Sequence, residues 1–464
     1  MKTSDSNCYD VAIIGGGVVG CAVARRFALE GARVILVEKG DDILSGASKA
    51  NSAILHTGFD APHNSLELAC MRAGYAEYRE IAERMNLPLL ETSAMVVAWN
   101  ESDESKLDAI VAHAHRNGVS NVERIDREEV LRHEPELARS ALGGVLVPDE
   151  HVIDPWTAPL AYVQQAMDHG AEVWRGANLL AGDFDGQHWQ LKTSRGDITT
   201  TEVINCAGLY GDRIETLLLG DSHFQIRPRK GQFVVFDKAA AKLLRSIILP
   251  VPNERTKGVV LTRTAFGNLL VGPTAEEQED RELAATDQKT LNTLIDAAEA
   301  RLPGIAGIPV TAIYAGLRPA SEHKAYCVRE ERDRHFMTLG GVRSTGLTAA
   351  LGLAHHAFER YCTRHSHTPI TNPRWPRMPN IAEHRERDWQ KKGYDEIVCH
   401  CELVTRREID AAFDSPLPPG DLGGLKRRTR VCMGRCQGFY CGGRVAELTE
   451  NRFITPLTTG HCHD

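Results

Sequence analysis

Apolar residues near the N-terminus fall into two short runs separated by a glycine-rich turn and a helical pattern. Asp10-Val-Ala-Ile-Ile14 reads as a buried strand, Gly15-Gly16-Gly17-Val-Val-Gly20 as the turn, and Cys21 to Glu30 as a helix that Gly31 stops. Arg33-Val-Ile-Leu-Val-Glu38 is a second buried strand, so the segment is predicted to be a β-α-β unit of a parallel sheet. Farther on, Pro155–His169 is predicted helical, Glu172–Trp174 and Trp189–Thr193 extended, and Glu202–Gly208 a strand running into a glycine turn. Phe233–Phe236, Gly258–Thr262 and Asn268–Val271 suggest a second sheet, followed by a helix over Thr286–Arg301. His335–Leu339 is one more strand, ending at Gly340-Gly341 before a helix from Gly346 to Arg364. Regular periodicity fades over 363–396, where Pro369, Pro373, Pro376 and Pro379 sit among charges, and the pattern predicts a linker. Beyond it, 397–455 reads as a separate module, of a size at which a hydrophobic core alone is marginal and a metal staple is useful.

The turn carries chemistry. In Gly15-x-Gly17-x-x-Gly20 the first glycine permits the tight turn, the second lets backbone approach a pyrophosphate, and the third lets helix and strand pack closely. The helix N-terminus that follows supplies N–H groups and a positive dipole end to phosphates. Glu38, ending the second strand, is positioned to accept hydrogen bonds from ribose hydroxyls, which disfavours a 2′-phosphate and leaves NAD and FAD open.

Composition narrows the class. The chain has 464 residues, 42% hydrophobic and 25% charged, with a net charge of −8, which argues against a nucleic-acid protein. No apolar run is long enough to span a bilayer, and Met1–Asp10 lacks the layout of a signal peptide. Cytoplasm is therefore the expected compartment, with attachment at the inner membrane only through a partner. Cysteines stay reduced there, so a cysteine cluster reads as a metal site. Six of the twelve cysteines gather at the C-terminal end: Cys399, Cys401, Cys432, Cys436, Cys441 and Cys462. Four thiolates are the usual ligand set of a [2Fe–2S] cluster, and Cys399, Cys401, Cys436 and Cys441 are the expected ligands. Structural zinc is the rival reading, with His400 or Cys432 entering the set. Lys426-Arg-Arg-Thr-Arg430 and Arg435 could offset the cluster's negative charge; read as a nucleic-acid patch, they lack interleaved aromatics. Thr405 with Glu408 reads as a helix capping box, and His461-Cys-His-Asp464 as a terminus that could scavenge metal.

Longer segments decide between the dinucleotides by resemblance. Gly46-Ala-Ser-Lys-Ala-Asn-Ser-Ala-Ile-Leu-His-Thr-Gly58 resembles the isoalloxazine-contacting segment of the D-amino-acid-oxidase-like flavoenzyme superfamily. Asn205–Asp212 resembles its second FAD-contacting strand-turn, and Gly341-Val-Arg-Ser-Thr-Gly346-Leu-Thr348 its C-terminal flavin loop. Arg229-Lys-Gly-Gln, Gly267–Thr274 and Gly316-Leu-Arg-Pro319 bring the chain closest to the branch of FAD-dependent glycerol-3-phosphate and L-2-hydroxyglutarate dehydrogenases. The tail resembles the bacterioferritin-associated-ferredoxin-like domain, as in anaerobic glycerol-3-phosphate dehydrogenases. An NAD-binding Rossmann dehydrogenase would leave these downstream segments unexplained.

The resemblance implies an α/β fold: a Rossmann-type FAD-binding domain with an interleaved mixed-sheet substrate domain, plus a small helical [2Fe–2S] module. The oxidoreductase would span 8–362, with its substrate-domain portions at 90–150 and 225–318. It implies FAD contacts at Ser48, Asn51, Ser52, Ala207, Gly208, Gly341, Ser344, Gly346, Leu347 and Thr348, beside Gly15, Gly17, Gly20 and Glu38. His56 becomes the candidate base and Arg318 the clamp for the substrate's anion, with Lys257, Arg263 and Lys230 as further basic candidates. These choices suit an anionic secondary alcohol, with glycerol 3-phosphate expected first and an L-2-hydroxy acid second. Amine or opine oxidation, or a non-catalytic electron-transfer flavoprotein, are the remaining alternatives. Electrons would leave through the cluster to a quinone-linked or protein acceptor, with partner subunits possible.

Overall fold

The computed structural model describes residues 8–252 and 258–457. Its central layer is a sheet whose parallel core runs Glu172–Trp174, Val34–Val37, Cys8–Ile14, Gly196–Asn205 and Phe336–Gly340. The strands at its centre are almost wholly apolar and buried on both faces, as a parallel sheet covered on both sides requires. Leu179–Phe184 and Trp189–Thr193 extend one edge antiparallel, joining the first half of Gly196–Asn205. The sequence pattern locates most of these strands to within a few residues, but it begins Gly196–Asn205 only at Glu202 and omits Leu179–Phe184. The helix Leu66–Met85, absent from the sequence reading, carries an apolar stripe at Leu68, Met71, Tyr78, Ala82 and Met85 that marks it as amphipathic.

That helix packs on Gly346–Tyr361 and, with Val18–Leu29, covers one face of the sheet. The two helices approach so closely that a Cβ at Gly74 would meet the Thr348 carbonyl oxygen at 2.0 Å, and one at Gly352 the Cys70 carbonyl oxygen at 2.1 Å. Only glycine allows this crossing, and it sets where Thr348 sits.

A nine-stranded mixed sheet takes its strands from two separate stretches, 94–147 and 229–318. Within it, Arg229–Phe236 lies antiparallel to Val310–Arg318, with Arg229 opposite Arg318. A three-stranded sheet of Ile54–Leu55, His151–Ile153 and Leu89–Leu90 joins the two halves beside His56.

The segment 363–396 has no strand or α-helix, since its prolines remove backbone donors, yet it is not a loose tether. Trp375 and Met378 pack on the main core, Ile381 and Ala382 are buried, and Arg387 bonds to Glu383 and to the Glu402 carbonyl. The module that follows has its own small core of Val398, Val404, Ile409, Leu425, Val431 and Val445. Its helix Arg406–Phe413 begins with the reciprocal Thr405–Glu408 capping box. None of the described helices is long and apolar enough to cross a membrane.

The module docks through the basic run Lys426–Arg430. Arg428 grips the fully buried Asp42 carboxylate at 2.6 and 3.1 Å, and Arg427 donates to the Ile43 carbonyl at 3.0 Å. Arg430 pairs with Glu402 at 2.8 Å, and Arg435 with Asp237 at 2.8 Å. Arg427, Arg428 and Arg430 are therefore buried against partners within the protein, whereas Arg435 stays largely exposed beside Asp237.

Candidate active site

The parallel strands end on one crevice, the usual ligand position in an open α/β sheet. Gly15 follows Ile14, Glu38 follows Val37, Ala207 and Gly208 follow Cys206, and Gly341 follows Gly340; all line a cavity of about 1460 Å³. That exceeds the ~300–1,000 Å³ usual for one small ligand and leaves room for a dinucleotide and a substrate together. Gly15 has φ +109°, a conformation that side chains oppose. A Cβ on Gly20 would fall 1.9 Å from the Gly15 carbonyl oxygen, so Gly20 is required for helix–strand packing and does not itself line the cavity.

The buried Glu38 carboxylate accepts N–H bonds from Gly16 at 2.6 Å and Gly40 at 2.8 Å. Burial pushes its pKa up, and these two backbone donors act against that rise. Ser48 Oγ accepts from Val18 N at 3.0 Å, tying the Gly46–Ser52 segment to the helix N-terminus. Ser48, Asn51, Ser52, Ser344, Gly346 and Leu347 line the same cavity. Thr348 does not; its hydroxyl accepts the His56 backbone N–H at 3.0 Å and so places the histidine.

His56 faces the cavity and its Nδ1 lies 2.8 Å from Glu150 Oε2, while Glu150 Oε1 takes the Thr57 N–H and hydroxyl. The Glu150 side chain has no solvent exposure. With an ionised carboxylate as acceptor, Nδ1 carries the proton and Nε2 is left with the basic lone pair. Sequence patterning gives no sign of Glu150. It lies 94 residues from His56 and carries no motif, so only the tertiary fold unites them.

Arg318 also lines the cavity, where Gly231 leaves space for it: a Cβ there would lie 2.7 Å from its guanidinium. Among the described residues it donates only to the Thr274 carbonyl, at 3.3 and 3.4 Å, and burial with nearby Arg229 brings its pKa down to about 10. A guanidinium walled in by protein without a carboxylate is short of an anion. Arg229 lines the cavity too but pairs with Glu277 at 2.9 Å. Lys230 is paired with Glu276 at 3.1 Å, and neither it nor Arg263 lines the cavity. Lys257 and the His461–Asp464 tail lie outside the described residues.

The thiols of the module come from two loops. Cys399 neighbours Cys441, and Cys401 neighbours Cys436. Cys432, at φ +61°, brings its Sγ within 3.4 Å of Cys441 Sγ. Backbone N–H groups of Tyr440, Gly438 and Phe439 hold the Cys436 thiol below its usual range, whereas burial pushes Cys441 up to about 11. His400 is exposed, and no group of three or more His, Cys, Asp or Glu among the described residues is arranged around a single metal ion.

Comparison with known proteins places these features. A family model described as DAO, FAD dependent oxidoreductase, matches residues 10–360. A glycerol 3-phosphate dehydrogenase of Caloramator mitchellensis is 28% identical over 97% of this chain and 95% of its own length. One component of the anaerobic glycerol-3-phosphate dehydrogenase of Escherichia coli is 27% identical over 98% of this chain and 90% of its own. A glycerol 3-phosphate oxidase of Mycoplasma pneumoniae is 27% identical, covering 75% of this chain and 93% of its own. The structure of that organism's L-alpha-glycerophosphate oxidase with FAD bound superposes with a TM-score of 0.75 at 26% identity, over 81% of this chain and all of that one.

Proposed function

This chain belongs to the family of FAD dependent oxidoreductases, and from that premise we propose that it is a glycerol 3-phosphate dehydrogenase whose electrons leave through a [2Fe–2S] module. The observation that carries the substrate is Arg318, a cation in the cavity wall with no carboxylate partner among the described residues, in the cavity that His56 also lines. A phosphate would give that guanidinium the bidentate acceptor it lacks. His56 Nε2 takes the proton of the substrate's secondary hydroxyl, and Glu150 holds the ring and offsets the imidazolium charge that results. FAD, when bound along Gly15, Gly17, Glu38 and the Ser48–Ser52 segment, supplies the acceptor for the hydride from carbon. The Gly341–Leu347 wall and His56 face the same cavity, which supports a substrate seated between the two.

Support for the cluster comes from the chain's own donors. Cys399, Cys401, Cys436 and Cys441 present four sulfurs from two loops, with backbone N–H groups directed at Cys399 and Cys436. Such N–H donors stabilise thiolate and tune a cluster's potential. The relatives point the same way: the two dehydrogenase relatives align with nearly the whole chain, whereas the oxidase accounts for nearly all of itself with three-quarters of it. The portion that the oxidase lacks is therefore a candidate route to an acceptor other than oxygen, such as a quinone-linked or protein carrier.

The test is anaerobic mixing of the purified protein with glycerol 3-phosphate, L-2-hydroxyglutarate, glycerol and a panel of amino acids. Glycerol 3-phosphate is expected to bleach the flavin band while unphosphorylated glycerol does not. Bleaching by the hydroxy acid or an amino acid alone would replace the substrate assignment, and bleaching by none would remove the dehydrogenase reading.

A further inference from the structure

A line of contacts joins the wall of the flavin cavity to the thiol module. Lys49 lines the cavity, and its carbonyl accepts the Trp156 indole N–H at 3.2 Å. The indole stacks on Phe266 with centroids 5.2 Å apart and planes inclined by 11°. Over the same ring lies the Arg430 guanidinium, 4.1 Å from the centroid. Arg430 Nε donates to Glu402 at 2.8 Å, and the Glu402 backbone N–H is directed at the Cys399 thiol. Phe266 and Arg430 are buried and Trp156 is partly so.

The three side chains come from unrelated places. Trp156 immediately precedes the helix Thr157–Asp168, Phe266 sits in the turn between Val260–Arg263 and Leu269–Gly272, and Arg430 follows the helix Leu422–Thr429. Arg430, at φ +69°, is the left-handed residue that ends that helix, its N–H bonded back to the Lys426 carbonyl. Charge neutralisation of Glu402 does not require an aromatic ring, and burial of Phe266 does not require a guanidinium. Continuity from cavity to thiol requires both.

We propose that Trp156, Phe266 and Arg430 form the electron conduit between the flavin cavity and the thiolate module. The proposal rests on the [2Fe–2S] reading above. One secondary alcohol gives a hydride to the flavin and its hydroxyl proton to His56, becoming a ketone. With FAD and a cluster in place, the two electrons of the reduced flavin would pass singly, each converting one ferric ion to ferrous, and the flavin's protons would pass to water. The cluster is reoxidised after each by a one-electron acceptor of the haem, ferredoxin or quinone class. Close packing matters because electronic coupling decays more steeply across a gap than through atoms in contact. A second line of contact runs from the cavity-lining Asn51, whose carbonyl accepts the Tyr314 hydroxyl at 3.1 Å, along the strand Val310–Arg318 to the Thr311 carbonyl, which accepts from Gln437; its rings, Tyr314 stacked on Phe233 at 4.7 Å, lie at the cavity end.

The experiment compares holoenzyme with Phe266→Leu, Trp156→Leu, their double variant and the ring-preserving Trp156→Phe. Neither position lines the cavity. Anaerobic rapid mixing with glycerol 3-phosphate follows flavin bleaching by absorbance and cluster reduction by freeze-quench electron paramagnetic resonance. The leucine variants are expected to keep FAD, iron, acid-labile sulfide, both midpoint potentials and the flavin bleaching rate, while cluster reduction slows several-fold. Trp156→Phe keeps a ring on Phe266 but loses the indole N–H to the Lys49 carbonyl, so it should slow cluster reduction less than Trp156→Leu does. Unchanged cluster reduction in the double variant overturns the conduit and assigns the transfer to the Thr311 line. Wild-type protein that bleaches its flavin but holds no iron overturns the cluster and the conduit together, leaving the dehydrogenase assignment standing. Should Trp156→Leu shed FAD, Phe266→Leu carries the test alone.

Discussion

At the scale of single residues, the cavity separates a base from a clamp. His56 owes its orientation to Glu150 at Nδ1 and to Thr348 at its backbone N–H. Replacing it by asparagine is expected to slow flavin reduction by glycerol 3-phosphate by about 10²–10⁴-fold, the usual worth of a general base, with FAD retained. Glu150→Gln should give a smaller loss, because the imidazole survives but its cationic form is no longer offset. Arg318 tests binding instead. Arg318→Met should raise KM by about 10- to 100-fold, the worth of charge-assisted hydrogen bonds to one anion, with a lesser effect on kcat. Its pKa, drawn down to about 10 from an ordinary 12.5, also fixes a pH sign. The folded protein disfavours the cation, so the cost to stability is present below pH about 10 and fades as pH rises through the folded value towards the unfolded one. Anion binding needs that same cation. KM should therefore climb above pH about 10 in wild type, and this limb should vanish in Arg318→Met.

At the scale of elements, the helix Leu422–Thr429 does more than complete the small module. Its Arg428 and Arg427 hold Asp42 and Ile43, in the loop between Glu38 and the cavity-lining Ser45 and Gly46. Asp42 is fully buried and without Arg428 keeps only the longer Arg175 pair at 3.6 Å and two backbone N–H groups, so removing Arg428 should cost less than the about 3–5 kcal/mol of a wholly unpaired buried charge. Arg428→Ala is accordingly expected to lower the unfolding midpoint and to release FAD more readily, read by thermal denaturation and flavin fluorescence. Arg428→Met with Asp42→Asn should recover only part of the stability, since Arg175 then loses its carboxylate. Periodicity could not announce this role, because a run such as Lys426–Arg430 looks the same whether it faces solvent or a buried acid.

At the scale of the whole molecule, the nine-stranded sheet and the parallel sheet close one cavity between them, and the C-terminal module is seated on Asp42 and Ile43, in the loop that leads to the cavity-lining Ser45. The thiols can be separated from the flavin by chemistry. Cys436→Ser is expected to lack iron and acid-labile sulfide while keeping FAD and substrate-driven flavin bleaching, measured by metal analysis and anaerobic titration. Zinc in place of iron in the wild type would end the cluster reading. The segment 363–396 makes the arrangement firm, with Trp375, Met378, Ile381 and Arg387 anchored rather than spanning open solvent.

Several features were legible in the sequence itself: the β-α-β unit, the glycines of its turn, Glu38, the strands of the parallel sheet and the capping box at Thr405. Each is a local consequence of period, steric room or a short-range hydrogen bond, so neighbours along the chain suffice to specify it. Other features were decided only by the tertiary structure. Glu150 behind His56, Thr348 turned from the cavity to the His56 backbone, Lys230 paired with Glu276, and Arg428 on Asp42 all join residues distant in the chain. A charge or a carboxylate has no fixed meaning until packing determines its burial and its partner, and in this protein those partners lie on other elements.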